Sequence, residues 1–245
     1  MLPWNGEDLC FDESRFSGKV RLFPLPDLVM FPHVVQPLHI FEQRYREMLR
    51  EALDSDGLIA MSIPVPSSSP LIDEDRPDLE PYACLGKVVT HQRLEDGRYN
   101  LMLLGVRRVR LIEELPQERT FREAKVELLD DFESDISSAS RDALQSQLTE
   151  SFRTALPSGS LPSDAVSELL SSDIPLGVLT DLVSFALPFS GEIKRQLLGE
   201  SNVDARANLL LQALGVKPSA DSASEPLQAA AIKAAMGFPP PFSSN

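Results

Sequence analysis

The 245-residue chain reads as an α+β protein, and three observations lead there. From Lys19 to about Asp131 the apolar pattern is mostly that of strands, and from about Ser138 to Gly215 it has a helical period. Residues 83–94 and 98–111 face each other across Glu95, Asp96 and Gly97, a turn whose glycine can take positive φ. Strands followed by helices predict segregated layers rather than alternating ones. The expected organisation is an acidic tail over residues 1–18, a β subdomain over 19–132, a helical subdomain over 133–215 and a flexible Ala/Ser/Pro-rich tail over 216–245.

Residues 19–25 and 34–39 read as strands flanking a loop stiffened by Pro24, Pro26 and Pro32. Each proline fixes its own φ, donates no backbone hydrogen bond and drives its predecessor toward extended geometry. Met30, Phe31 and Val34 sit on this loop, where a strand cannot easily hide them, and a rigid apolar segment loses little entropy on binding. Met30, Phe31, Pro32, His33 and Val34 are therefore the candidate polypeptide-binding residues; the alternative, equally open from the sequence, is that Met30 and Phe31 tuck into the end of the barrel, since loops often cover a core. A helix follows: Ile40, Phe41, Tyr45, Met48, Leu49, Ala52 and Leu53 form its apolar stripe, Glu42, Arg44, Arg46, Glu47 and Arg50 its polar face, and Gly57 its terminator. The continuous apolar run LIAMSIPV, residues 58–65, predicts a strand covered on both faces, and the acidic, Pro-rich residues 67–81 predict a flexible loop.

The second strand of the hairpin is apolar on both alternating faces over residues 101–106, so its centre belongs inside a barrel or beneath a helix, with Gly105 marking a bulge or bend. Residues 122–129 alternate as a half-exposed strand that closes the sheet. Leu144, Leu148, Phe152 and Ala155 trace a helix ending near Pro157, and a short helix is expected over 164–170. Leu176, Leu179, Leu182, Val183, Ala186 and Leu187 predict a helix that is almost wholly buried and ended by Pro188. Ser201 and Asp204 form a capping-box variant ahead of Leu209, Leu210, Ala213, Leu214 and a terminating Gly215. Such helices bury their stripes only against each other, as a small bundle. For Trp4, Phe11 and Phe16 in the first tail and Phe238 to Phe242 in the last, disorder is the simplest expectation; a docking motif, a strap across the barrel or a polyproline segment are the alternatives.

Charge narrows the function. With 23 Lys and Arg against 37 Asp and Glu the net charge is −14, which repels phosphate backbones and anionic lipid. The two cysteines, Cys10 and Cys84, are far apart and form no C-x-x-C pair, so neither a disulfide framework nor a zinc site is expected. The first 18 residues lack a signal peptide's basic start and apolar run, and no stretch reaches the length of about 20 apolar residues that spans a bilayer. The expected location is the cytoplasm.

Catalytic patterns are missing. The Gly-Lys pairs Gly18-Lys19 and Gly86-Lys87 lack the rest of a phosphate-binding loop, no G-x-S-x-G elbow occurs, and His33, His39 and His91 do not have metal-ligand spacing. No cofactor and no catalytic residue is expected. Arg98, Arg107, Arg108 and Arg110, with His91 and Arg93 opposite, make a locally basic hairpin; pairing with acids such as Glu113, Glu114 and Glu123 is favoured over contact with RNA.

Three segments carry a resemblance. LFPLPDLVMFPHVVQPLHIFEQRYREML resembles the opening of the amino-terminal domain of Lon proteases, with its strand, F-P proline loop, second strand and helix. YACLGKVVTHQRLEDGRYNLMLLGVRRVRLIEE is similar to that domain's G-x-[IV] strand and G-x-x-R hairpin, with Gly86, Gly105 and Arg108 at the matching positions and Pro24 and Pro32 as the matching loop prolines. DLVSFALPFSGEIKRQLLGESNVDARANLLLQAL is similar to its helical portion, so the resemblance covers about residues 19–215. It implies a PUA-like β-barrel followed by a C-terminal helical bundle, a domain that engages substrate polypeptides and supplies no catalysis. The chain as read has no ATPase motif and no segment matching the family's Ser-Lys proteolytic domain. The expected function is thus a stand-alone polypeptide-binding module, an adaptor or substrate-recognition protein with a polypeptide partner; the alternative is an RNA-binding PUA-like module using the arginine hairpin.

Overall fold

A computed structural model describes residues 11–65, 76–156 and 174–215. The expected short helix over 164–170, most of the acidic loop, Cys10, Trp4 and the C-terminal FPPPF lie outside the described residues. The chain divides into two compact units, one containing the described residues up to Pro32 together with Gln36–Leu129, the other His33–Val35 and the described residues from Asp130 on.

The first unit is built from β1 (Lys19–Pro24), β2 (Val35–Ile40), helix α1 (Gln43–Leu53), β3 (Leu58–Ser62), β4 (Tyr82–Arg93), β5 (Tyr99–Glu114) and β6 (Arg122–Leu129). The strand order is β2-β5-β4-β3-β1-β6, and a further pairing of β5 with β6 closes five strands into a ring with β2 appended beside β5. All pairings in the ring are antiparallel except β1 with β3, which are parallel and joined through β2 and α1. Closure leaves those five strands without a free edge, and β2, at the end of the order, carries Pro37, a residue that blunts strand edges. The barrel is filled by Val20, Leu22, Leu58, Ala60, Ala83, Leu85, Val109, Ala124 and Val126. β3 is buried at every position, as its unbroken apolar run requires.

Phe11 and Phe16 pack edge-to-face, with ring centroids 5.6 Å apart, against this core, so they strap the barrel instead of lying in a disordered tail. Helix α1 buries Tyr45, Met48, Leu49 and Ala52 at i, i+3, i+4 and i+7. Phe41 leaves the predicted stripe: β2 ends at Ile40, the cap is Glu42, and Phe41 falls in the joint between them, 61% exposed. Gly57, at φ +66, returns its N–H to the Ala52 carbonyl at 2.8 Å beyond the end of α1.

The second unit contains α2 (Ser138–Ala155), α3 (Leu176–Ala186), α4 (Gly191–Gly199) and α5 (Val203–Gly215). Helix α4 was not singled out by periodicity: it is nine residues long and gains its start from Ser190, whose hydroxyl accepts from Ile193 N–H at 3.4 Å. At α5 the cap is Asn202 and not Ser201, because Asn202 Oδ1 accepts from Asp204 and Ala205 N–H at 3.0 and 3.1 Å. Asp204 turns instead to Arg141, 3.0 Å away, and to Ser134 N–H at 2.7 Å, contacts that hold its carboxyl below the usual range.

Candidate functional site

The proline loop does not form the exposed apolar surface that its composition predicted. Met30 and Phe31 are 1% and 0% exposed, Val34 and Pro32 are also buried, and only His33 of the five candidates reaches solvent. Within the first unit, a glycine accounts for the close approach of the loop to the barrel. Gly86 of β4 and Gly105 of β5 face each other in the ladder, and the register slips beside them. A Cβ on Gly105 would stand 2.1 Å from the Phe31 carbonyl oxygen and 3.0 Å from Pro32 Cα, so the loop's main chain fits only because that position has no side chain. A Cβ on Gly86 would stand 2.6 Å from Leu103 Cγ. Pro32 and Gly105 thus lie where the loop is laid down on the barrel, Pro24 ends β1 opposite Ser62, Gly86 makes room for Leu103, and Arg108, 2% exposed on β5 between Cys84 of β4 and Leu129 of β6, is interior.

His33 adopts φ +63, the left-handed region that non-glycine residues rarely enter. Its Nδ1 lies 3.0 Å from Oδ2 of Asp181, a carboxylate with no solvent exposure on α3. The Asp181 Oδ1 faces Arg206 Nε at 3.7 Å, and Arg206, equally buried, donates to Thr180 Oγ1 at 2.8 Å, to the Glu200 carbonyl at 2.7 Å and to both oxygens of Asp131 at 3.0 and 2.5 Å. The arrangement balances buried charges and fixes the helices of this unit. Sequence reasoning missed it, although Asp181 inside an otherwise apolar helix was a readable signal, since a buried carboxylate needs a cation. Among the described residues, no group of three or more His, Cys, Asp or Glu is placed to hold a metal ion.

Arg98 and Arg110 of the hairpin are paired, with Asp96 and Glu127 in place of the expected Glu113, Glu114 or Glu123. Arg98 engages Asp96 at 2.5 Å and holds that carboxyl below its usual range, Arg110 engages Glu127 at 2.5 Å, and Arg122 and Arg76 share Glu114. Burial works to raise Glu114, but the two guanidinium groups bring it below its ordinary value. Glu113 and Glu123 take Lys125 and Lys19, both at 2.9 Å.

Two surface features remain. In the first unit, Phe41 stacks at 6.2 Å and 25° on His39, at the end of β2. His39 Nδ1 lies 2.7 Å from Asn100 Oδ1 and its Nε2 lies 3.3 Å from Arg98 Nη1. If Nδ1 carries the proton toward the amide oxygen, Nε2 is free to accept from Arg98, so the neutral imidazole satisfies both neighbours. The result is an aromatic platform beside the hairpin turn, with one large apolar ring open to solvent. In the second unit, Ile193, Gln196 and Leu197 of α4 and Leu209, Gln212 and Ala213 of α5 line a groove of about 190 Å³.

The family model for the ATP-dependent protease La (LON) substrate-binding domain matches residues 19–215. The chain belongs to the Lon substrate-binding domain family. It is 25% identical over 219 residues to Lon protease of Anaeromyxobacter dehalogenans, covering 88% of this chain and 25% of that protein. It is 27% identical over 167 residues to Lon protease 2 of Syntrophobacter fumaroxidans, covering 68% of this chain and 20% of that protein. The chain therefore spans about a fifth to a quarter of these curated relatives. Among solved structures it is similar to a Lon N-terminal domain protein from Xanthomonas campestris (TM-score 0.57, 19% identity, 79% of this chain and 97% of that one). It is also similar to the N-terminal domain of Mycobacterium avium complex Lon protease (TM-score 0.62, 16% identity, 81% and 99%). At these identities the structures establish the fold, a mixed α+β barrel and helices. The family match is what points to polypeptides.

Proposed function

We propose that this chain is a non-catalytic polypeptide-binding module, an adaptor or substrate-recognition protein of the cytoplasm, and that Phe41 with His39 forms its apolar contact. The match to a substrate-binding domain over residues 19–215 carries this reading. Phe41, 61% exposed, is the most open large apolar side chain among the described residues, and aromatic and arginine neighbours are the composition of interface hot spots. Met30, Phe31, Pro32 and Val34 are buried and so leave this role to Phe41, and His33 is the solvent-facing member of that group. No helix among the described residues is long and apolar enough to cross a membrane.

Titrating a labelled, permanently unfolded, apolar-rich polypeptide against the full chain tests the proposal. Burying a phenylalanine is worth about 1.5–3 kcal/mol, so Phe41→Ala should weaken capture at least ~tenfold while the fold is retained. Affinity should change little with salt, because phosphate-type contacts are not involved. Unchanged capture by Phe41→Ala would remove the platform from the proposal; a steep fall with salt, together with preference for RNA, would replace it by the nucleic-acid reading, against which the paired Arg98 and Arg110 and the buried Arg108 already weigh.

A further inference from the structure

Residues 130–136, DDFESDI, lead into α2 and keep two large apolar side chains in water: Phe132 is 57% exposed and Ile136 38%. The backbone beneath them is clamped. Phe132 N–H donates to the Ser201 carbonyl at 3.0 Å and Val203 N–H to the Phe132 carbonyl at 2.9 Å, a one-residue parallel bridge centred on Asn202. Ser134 N–H donates to Asp204 Oδ2 at 2.7 Å, and its hydroxyl accepts from Asn202 Nδ2 at 2.9 Å. A surface held this firmly loses little entropy on binding.

The bridge also leaves an edge. In a parallel pairing the bonded residue turns both its backbone groups to the partner, and the next residue turns its own away. The N–H and C=O of Glu133 accordingly have no hydrogen-bond partner among the described residues. An extended polypeptide laid along this edge would take up those groups while its side chains meet Phe132 and Ile136, whose Cα atoms, four residues apart, are separated by at most ~14 Å.

Charge selects which polypeptide. Residues 130–142 hold five acids, Asp130, Asp131, Glu133, Asp135 and Asp142, against Arg141 alone, so 1 − 5 gives −4. Asp131 is taken by the buried Arg206. Glu133 meets Arg141 at 2.9 Å yet its side chain stays 61% exposed, and the exposed Asp135 has no ion-pair partner among the described residues. At a net charge of −14, a second copy of the chain would bring like charge to this patch, as would a nucleic acid. A segment with Lys or Arg beside bulky apolar residues complements both features.

We propose that residues 130–136 dock an extended, basic and apolar segment of a partner polypeptide, with Phe132 and Ile136 receiving its apolar side chains and Glu133 and Asp135 its cations. This goes beyond the Phe41 reading and does not depend on it, since the two contacts belong to different units and are removed by different substitutions.

Titrating the full chain with two labelled extended peptides tests it. Both carry the same phenylalanine and leucine residues, one with arginines between them and the other with glutamates. At ~50 mM salt the arginine peptide should bind at least ~tenfold tighter, and ~500 mM salt, where the Debye length falls from roughly 14 to 4 Å, should erase most of that preference. Phe132→Ser should weaken the arginine peptide about fivefold, as expected for a ring already partly covered before binding. Asp135→Lys, with the fold checked by circular dichroism, should cut the arginine-to-glutamate ratio at least ~threefold. The same charge change on the barrel hairpin, Glu95→Lys at an exposed position, should leave that ratio nearly unchanged, as should Phe41→Ala. Equal affinity for the two peptides, a ratio that survives both Phe132→Ser and Asp135→Lys, or an equal loss in Glu95→Lys or Phe41→Ala would each overturn the proposal. So would a dimer in sedimentation that Phe132→Ser dissociates, which would give the patch to a second copy.

Discussion

The two units solve the problem of a stable interior differently. The barrel unit surrounds an apolar central cluster with the buried polar side chains Gln36, Ser62, Arg108 and Glu123, whereas the helical unit places the facing charges of Asp181 and Arg206, with Thr180, Ser184 and Lys194, inside its helix packing. Closed strands satisfy one another's backbone groups, so their register is set by ladder hydrogen bonds and side chains need only fill space. Helices spend their backbone bonds internally and have no such ladder between them. Their relative placement must come from side chains, and here a buried ion-pair network joins α3, α5 and Asp131.

Several measurements can break or sharpen that contrast. Arg206→Ala should have the largest effect: it removes the buried guanidinium that faces Asp181 and bonds both oxygens of Asp131, and losing one partner of a buried pair costs about 3–5 kcal/mol. Urea unfolding followed by circular dichroism reads it directly, and a loss below about 1 kcal/mol would mean the network does not hold the unit together.

Lys194 comes next. The residue is 5% exposed, its ammonium donates to the Phe185 carbonyl at 3.3 Å, and burial pushes its pKa from 10.5 down to about 8. The unfolded chain holds this proton up to the ordinary value, so between about pH 8 and 10.5 it binds more protons than the folded one. Stability should therefore rise with pH across that window by on the order of 3 kcal/mol, with the penalty fully present below pH 8. Lys194→Met should remove the rise, and the comparison must be made as a difference between the two proteins, because burial raises Tyr45 and its ionisation opposes the trend at the alkaline end. Identical pH profiles would show that the ammonium is hydrated.

On the barrel side, Gly105→Ala should cost about 1–3 kcal/mol through its overlap with the Phe31 carbonyl, with Met30 and Phe31 forced outward. Thermal unfolding with a dye for exposed apolar surface would register both; an unaltered melting curve would show that the loop yields freely. The smallest effect belongs to His33. His33→Gly and His33→Ala both lose the Asp181 contact, but only alanine retains the cost of positive φ, so the glycine variant should be the more stable by about 1 kcal/mol. Equal stabilities would show that the backbone there relaxes.

Much of the fold was legible because it obeys short-range rules. The hairpin about Gly97, the continuous run of β3, the alternation of β6 and the stripe of α1 follow from periods of 2 and 3.6. Helix α4 was too short for its period to stand out, and Phe41 was counted with the α1 stripe because a strand-to-helix joint leaves the period intact for one more residue. The candidate site was less legible. Met30, Phe31 and Val34 are apolar on a proline-stiffened loop, and neither property tells whether such a loop lies over a core or stands off it.

From its residues alone this chain settles its class: strands first, helices after, a barrel-compatible pattern and the glycines that mark where backbones meet. Tertiary structure decided which face of each segment sees water, turning Phe31 inward and Phe41 outward and giving Asp181 a cation 25 positions downstream. The reason is physical: secondary structure depends on neighbours a few residues apart, whereas burial and ion pairing depend on what distant segments bring to the same place.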